Sequence, residues 1–167
     1  MGLDIGRLSR ADRVIGASAL AFFVILFFLP WYGGSASSSL GNVSVRASLN
    51  GWHSFHNSRW IWLITIVVAL TFVYASARGL PLASPVPLSA VVTALGALST
   101  VLILYRIVHH AGGSESGTVA GVHYSSTYGI EVGIWLGLLA AIGVTYGGYL
   151  AMRADGTWRT GPRMRAL

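Results

Sequence analysis

The side chains of this chain best suited to metal chemistry are its five histidines, all in the polar stretches between apolar segments. They are His53, His56, His109, His110 and His123. Imidazoles that converge on one side of a protein can bind zinc or copper, and His53 and His56 have the spacing of one helical turn. The competing interpretation is that each ring is solvated separately, since no cysteine or closely spaced acid accompanies them. A histidine metal site is therefore a hypothesis.

Arg106 and Glu131 are the ionisable residues that we place inside or at the boundary of the apolar segments. We expect Arg106 near the outer end of the third helix and Glu131 near the outer start of the fourth, at similar depth on neighbouring helices. Because charges are costly in lipid, the pattern favours an ion pair at the outer interface over a transport or proton-relay role. Glu131 also falls in the first turn of its predicted helix, where the dipole stabilises a carboxylate.

No catalytic constellation is evident among the remaining residues. Serine and threonine hydroxyls in membrane helices usually bond to the backbone or bridge helices. Haem held between such helices requires facing histidines, which the apolar segments do not contain. The chain has no cysteine, which excludes disulfide exchange and thiolate metal sites. We therefore predict a protein that is not an enzyme and holds no cofactor.

Four long apolar segments are the elements that must position these side chains. Hydrophobic residues make up 54% of the 167 residues and charged residues only 10%, which is outside ordinary soluble composition. We predict spanning helices at about 14–32, 60–77, 88–108 and 129–152, each long enough for a hydrocarbon layer of about 30 Å. A signal peptide is the alternative interpretation of the first segment. The segment ends with the bulky residues Pro30, Trp31 and Tyr32 and not with a small-residue cleavage site, which favours a retained helix. We expect Trp31 and Tyr32 at the head-group level.

The stretches between these segments are rich in serine and glycine, and we predict outer loops at 33–59 and 109–128. Alternation from Val43 to Leu49 predicts a short strand, and the following Asn50-Gly51 predicts a hairpin turn. A second short strand, broken by Gly121, is expected over 119–124. The predicted fold class is all-α membrane: a single domain over 1–167, built as a four-transmembrane-helix antiparallel bundle with a small partly β extracytoplasmic cap.

Small residues recur along the fourth segment at helical spacing. The first small-residue face consists of every fourth residue: Gly129, Gly133, Gly137 and Ala141. A second face, further along the helix, consists of Gly143 and Gly147. Such stripes are typical of helices whose backbones approach closely. We expect this helix to be the packing centre of the bundle, with one face available to a neighbour or a second copy.

The basic residues indicate how the chain crosses the membrane. All eleven are arginine, and the formal net charge is +6. Eight fall on one side and three on the other: Arg7, Arg10, Arg13, Arg78, Arg153, Arg159, Arg163 and Arg165 against Arg46, Arg59 and Arg106. This bias predicts a multi-pass protein of the bacterial inner membrane with both termini and the tail 153–167 cytoplasmic. Contacts with anionic lipid explain the charge better than nucleic acid does.

The order of features resembles four-helix integral membrane proteins of actinobacteria. The residues that carry the resemblance are Phe28-Leu29-Pro30-Trp31-Tyr32, Leu49-Asn50-Gly51-Trp52 and Gly129-Ile130-Glu131-Val132-Gly133, with an arginine-flanked first helix and a basic tail. The resemblance implies a four-span membrane architecture and transfers no functional residue. Claudin-like proteins share four spans and a larger first outer loop with strands, but the cysteine pair of that loop is absent here.

The sequence predicts a non-enzymatic structural or accessory subunit in the bilayer. It would act through helix and outer-loop contacts with a membrane protein partner or a second copy. The alternative is a small transporter or channel subunit for an ion or small solute, with Arg106 and Glu131 at its outer mouth. The lack of ionisable side chains along the predicted helix interiors favours the first interpretation.

Overall fold

A computed structural model describes residues 6, 8–39, 43–54, 58–80, 87–109, 112–119 and 121–156. Four of its helices are long and apolar enough to cross a membrane: α1 (Arg10–Phe28), α3 (Arg59–Arg78), α4 (Leu88–His109) and α5 (Val132–Ala154). A one-turn helix, α2 (Gly51–Ser54), precedes α3. The strands are β1 (Pro30–Ser38), β2 (Val43–Asn50), β3 (Gly112–Val119) and β4 (Val122–Ile130).

The four strands form one antiparallel sheet in the order β2-β1-β4-β3. The fold is therefore mixed α/β, and the predicted all-α bundle with only a small β cap is wrong as a fold class. The central strands β1 and β4 carry serine and glycine in place of the alternating apolar residues by which a half-buried strand is recognised. Both faces of the sheet are largely exposed, so no hydrophobic alternation is required of them.

The predicted turn and the second predicted strand also differ from what the structure contains. Asn50-Gly51 does not close a hairpin: Gly51 begins α2, and the Asn50 side-chain oxygen accepts the His53 backbone N–H at 3.1 Å. The stretch 119–124, expected as one strand broken by Gly121, belongs to two strands: Val119 ends β3, Gly121 lies in the turn with φ +80°, and residues 122–124 begin β4. This turn joins β3 to β4. Val119 of β3 pairs with Val122 of β4.

The helix ends follow local capping chemistry. Helix α1 begins at Arg10, before the predicted start, because Ser9 and Asp12 form a capping box with bonds of 2.9 and 3.1 Å. It ends at Phe28 because Pro30 begins β1. Helix α3 ends at Gly79, whose φ of 62° closes the helix in the left-handed conformation.

Helix α5 lies between α1 and α4, and α3 packs against the same two helices on the other side. The buried core runs through the bundle and reaches the base of the sheet. Its largest fully buried side chains include Phe22, Trp31, Trp62 and Ile134. Trp31 is therefore a core residue, and its predicted depth at the head-group level stays a prediction. The exposed apolar side chains of the four long helices are suited to lipid.

Candidate functional site

Helix α5 packs closely around Trp31 through two of its predicted packing glycines. A Cβ on Gly137 would lie 2.7 Å from Cζ2 of the Trp31 indole, and one on Gly133 would lie 2.7 Å from its Cδ1 and meet the carbonyl oxygen of Pro30. The indole N–H donates to the carbonyl of Ile25 at 2.9 Å. Gly51 approaches the same ring from α2. The glycines thus make room for one tryptophan at the junction of helices and sheet.

The other predicted packing residues of this stripe have different surroundings. Ala141 is fully buried, while Gly143 faces Ser18 and Gly147 faces Ile15 on α1. Gly129 lies in β4 instead of the helix, because it pairs with Gly33 in the sheet and α5 begins only at Val132. A Cβ on Gly129 would have no neighbouring atom within 4 Å.

Two glycines at the contact between α4 and α5, Gly96 and Gly148, were not singled out by the sequence interpretation. A Cβ on Gly96 of α4 would lie 2.9 Å from the Thr145 backbone nitrogen, and one on Gly148 of α5 would lie 2.9 Å from that of Thr93. The two helices therefore meet backbone to backbone. The signal was available, because Gly148 adjoins Gly147 and points about 100° round the helix from it.

One face of the sheet is covered with hydroxyl groups. Ser35 and Thr127 share a hydrogen bond across β1 and β4 with oxygens 2.8 Å apart, and Ser37 and Ser125 repeat it at 2.8 Å one row further along. The same face bears further serines on the outer strands: Ser44, Ser48, Ser114 and Ser116. We call this surface the hydroxyl face. Its hydroxyls can exchange hydrogen bonds with water or with a neutral polar ligand.

A cleft of about 730 Å³ lies on the hydroxyl face and contains its charged residues. Arg46 lines it from β2, opposite Ser35 in the register. Glu131 lines its base, with a carboxylate so close to the Gly33 backbone that a Cβ there would collide with it. The cleft therefore combines one cation, one anion and uncharged hydroxyls, and has no strong preference for either sign of charge.

The opposite face of the sheet is exposed and carries most of its large apolar side chains, together with Ser38, Glu115 and Ser126. Its main side chains lie on β2 and β4: Val45, Leu49, Tyr124 and Tyr128. Val45 is 60% exposed and Tyr128 57% exposed. The rings of Tyr124 and Tyr128 lie over Gly117 and Gly113 of β3, occupying the space that side chains there would need. We call this surface the apolar face.

A cavity of about 340 Å³ lies where the apolar face meets the end of α4. It is lined by Tyr32, Leu49, Ser54, Arg106, His109 and Tyr128, with Gly112. Burial raises the pKa of the Tyr32 phenol, and the nearby positive charge of Arg106 lowers it in part. The Arg106 charge therefore acts directly on this cavity.

Arg106 and Glu131, the predicted ion pair, line two different cavities, and their pairing stays a prediction. Arg106 lines the cavity on the apolar side of the sheet, whereas Glu131 lines the cleft on the hydroxyl side. Their depths are similar, since one is three residues from the end of α4 and the other caps the start of α5. Sequence spacing indicated the depth, but it did not indicate that the two residues line different cavities.

The candidate metal ligands lie on separate elements. His53 is in α2, His109 ends α4, and His123 is in β4, where its Nδ1 lies 2.9 Å from the Thr118 hydroxyl. His56 and His110 lie outside the described residues. Within the described part of the chain, no group of three or more histidine or acidic side chains could hold a metal ion.

Comparison with known proteins gives no relative from which a role could be transferred. No protein-family model matches the chain, and no curated protein matches it significantly. The molecule has four helices long and apolar enough to span a membrane and a four-stranded sheet at one end of them.

Proposed function

We propose that this chain is a non-enzymatic accessory membrane protein that holds its sheet outside the bilayer and contacts a membrane protein partner through the apolar face. The observation that carries the proposal is the exposure of Val45, Leu49, Tyr124 and Tyr128 on an element beyond the helix ends. Acyl chains can cover the apolar surface of a spanning helix, but a sheet that extends beyond the helix ends lies out of their reach. Exposed apolar patches outside a membrane are typical of protein contact surfaces.

The connection between sheet and bundle supports a role in holding a surface at a fixed position. Only Leu29 separates α1 from β1, and only Glu131 separates β4 from α5. The Glu131 backbone N–H donates to the carbonyl of Trp31 at 2.9 Å, which ties the two junctions together. A partner that binds the sheet is therefore bound at a set distance from the bilayer.

The arginines support an orientation with the sheet outside. Four arginines of the described residues lie at the helix ends away from the sheet: Arg10, Arg13, Arg78 and Arg153. Three lie on the same side as the sheet: Arg46, Arg59 and Arg106. Arg59 lies over Trp52 at 5.1 Å, and Arg78 over Tyr74 at 4.8 Å, as expected of residues at the two interfaces. Together with the tail arginines of the sequence, this distribution favours cytoplasmic termini in a bacterial cell.

The polar groups inside the described helices favour a contact role over transport. Asp12 is committed to the cap of α1. Thr65 and Ser99 bond to one another across α3 and α4 at 2.9 Å. A transport path would require polar groups that bind and release a solute along the bundle, whereas these groups serve helix capping and helix packing.

Site-directed photo-crosslinking in cells tests the proposal. A crosslinking side chain at Val45 or Tyr124 should give one discrete adduct with a membrane protein. The matched control is Ser37 on the hydroxyl face, which should give none. An adduct of twice the mass of the chain would mean that the partner is a second copy and would overturn the assignment to another protein. No adduct from the apolar face, or equal adducts from both faces, would refute the proposal.

A further inference from the structure

The cavity beneath the apolar face contains one charged side chain among its described lining residues, Arg106 of α4. Arg106 is half-buried in its wall, and none of the described residues that line it is acidic. His109 donates its Nδ1 proton to the carbonyl of Tyr105 at 3.1 Å, which leaves Nε2 for a ligand. The cavity is therefore built for an anion.

The position of Arg106 along α4 sets the depth of the cavity. Arg106 lies three residues before the end of a candidate spanning helix, or about 4.5 Å along its axis. Neighbouring side chains on the outer surface of α4 are apolar, and Val108 is 74% exposed. The cavity thus lies at the level where acyl chains give way to phosphate groups. The negative end of the α4 dipole disfavours an anion here, so the guanidinium of Arg106 must supply the attraction.

We propose that this cavity binds the phosphate group of an anionic phospholipid, with Arg106 as its charge partner and His109 beside it. The phosphate lies against Tyr32 and Leu49, and the acyl chains follow the apolar surface of α4. The inference does not depend on the proposed function, because lipid binding would stand whether or not the apolar face contacts a protein.

Native mass spectrometry of the full chain released from nanodiscs tests the lipid site. In discs of mixed phosphatidylglycerol and phosphatidylcholine, the wild-type chain should retain phosphatidylglycerol about five-fold more than its share of the disc, as one arginine at the membrane surface implies. Arg106→Gln should abolish this preference. Arg46→Gln is the matched control, because it removes the same charge from the hydroxyl face, and it should leave the preference unchanged.

Three outcomes would overturn the proposal: no preference in the wild type, a preference that survives Arg106→Gln, or an equal loss in Arg46→Gln. Inorganic phosphate, added in detergent without lipid, distinguishes the source of the ligand. If it raises the melting temperature of the wild type while phosphatidylglycerol shows no preference, a soluble anion is the ligand and the lipid assignment is wrong. If Arg106→Gln does not fold, His109→Ala takes its place, and an undiminished preference in that variant refutes the site.

Discussion

The Cζ2 atom of Trp31 lies only 2.7 Å from where a Cβ on Gly137 would be. The indole of Trp31, near the start of β1, therefore fills the space that a side chain at position 137 of α5 would need. Trp31 is fully buried and is hydrogen-bonded to Ile25 through its ring N–H. The ring therefore cannot move aside to admit a larger residue.

Gly137→Ala should destabilise the folded chain by about 1–3 kcal/mol, the usual cost of overpacking a core. Alanine is favoured over glycine inside a helix by roughly 0.5–1 kcal/mol, so a net loss requires the collision with Trp31 to exceed that gain. Equilibrium unfolding in detergent measures the difference. Gly129→Ala is the control, because its Cβ would enter open space. Equal stability of the two variants would contradict the close approach of Gly137 to Trp31.

Trp31→Phe should lower the free energy of unfolding by about 1–3 kcal/mol, through a smaller ring in a filled space and the loss of the bond to Ile25. Trp135 provides the comparison, since it is 51% exposed on the surface of α5. Trp135→Phe should change stability by less than about 0.5 kcal/mol. Thermal unfolding in one detergent compares the two, and a larger loss in Trp135→Phe would place the structural tryptophan elsewhere.

The hydroxyls of Thr65 and Ser99 should be energetically coupled, because both are buried and lie 2.9 Å apart. A double-mutant cycle with Thr65→Val and Ser99→Ala should give a coupling of about 0.6 kcal/mol, and at most roughly 1.7 kcal/mol. Thr71 bonds within its own helix to Val67 at 2.8 Å and is exposed. The cycle of Thr71→Val with Ser99→Ala should therefore give no coupling, and equal values in both cycles would show that α3 and α4 do not meet through these two hydroxyls.

Tyr32 should make the stability of the protein depend on alkaline pH. Burial raises its pKa in the folded state above the ordinary value of about 10. The contribution of the neutral phenol is therefore complete below the unfolded pKa and is lost as the pH rises through the folded pKa. Subtracting the absorbance titration of Tyr32→Phe from that of the wild type isolates this phenol.

Arg106→Gln should raise the Tyr32 pKa further, because the charge of Arg106 lowers it in the wild type. Arg46→Gln should leave the Tyr32 titration unchanged, since Arg46 lies on the hydroxyl face. A downward shift in Arg106→Gln would show that the guanidinium does not act on Tyr32.

The four long apolar helices could be predicted from the sequence, whereas the sheet could be predicted only in part. Long apolar runs between arginines are a strong signal, and the four predicted spans match the four long helices to within a few residues at most ends. β2 was foreseen because its apolar residues alternate from Val43 to Leu49. The start of β4 fell within the strand expected over 119–124, whereas β1 and most of β3 and β4 were not foreseen, because their serines and glycines form no apolar alternation.

The candidate site was predictable in its residues but not in its partners. The glycine spacing in α5 indicated close packing, yet nothing in the sequence showed that Trp31 lies in the space left by Gly133 and Gly137. Likewise, Arg106 and Glu131 were singled out by their positions near helix ends. Which of them shares a cavity with Tyr32 depends on the face of a strand, and a single residue of register decides that.

The short junctions at Leu29 and Glu131 impose a mechanical constraint on the molecule. β1 and β4 are bonded in register from Tyr32 opposite Ile130 outward, and each is almost continuous with a helix. Helices α1 and α5 therefore cannot change their crossing angle without shearing this strand pair or swinging the whole sheet as a lever about Trp31. A thinner bilayer would increase the tilt of the helices. That change in tilt would in turn change the inclination of the sheet at the membrane surface.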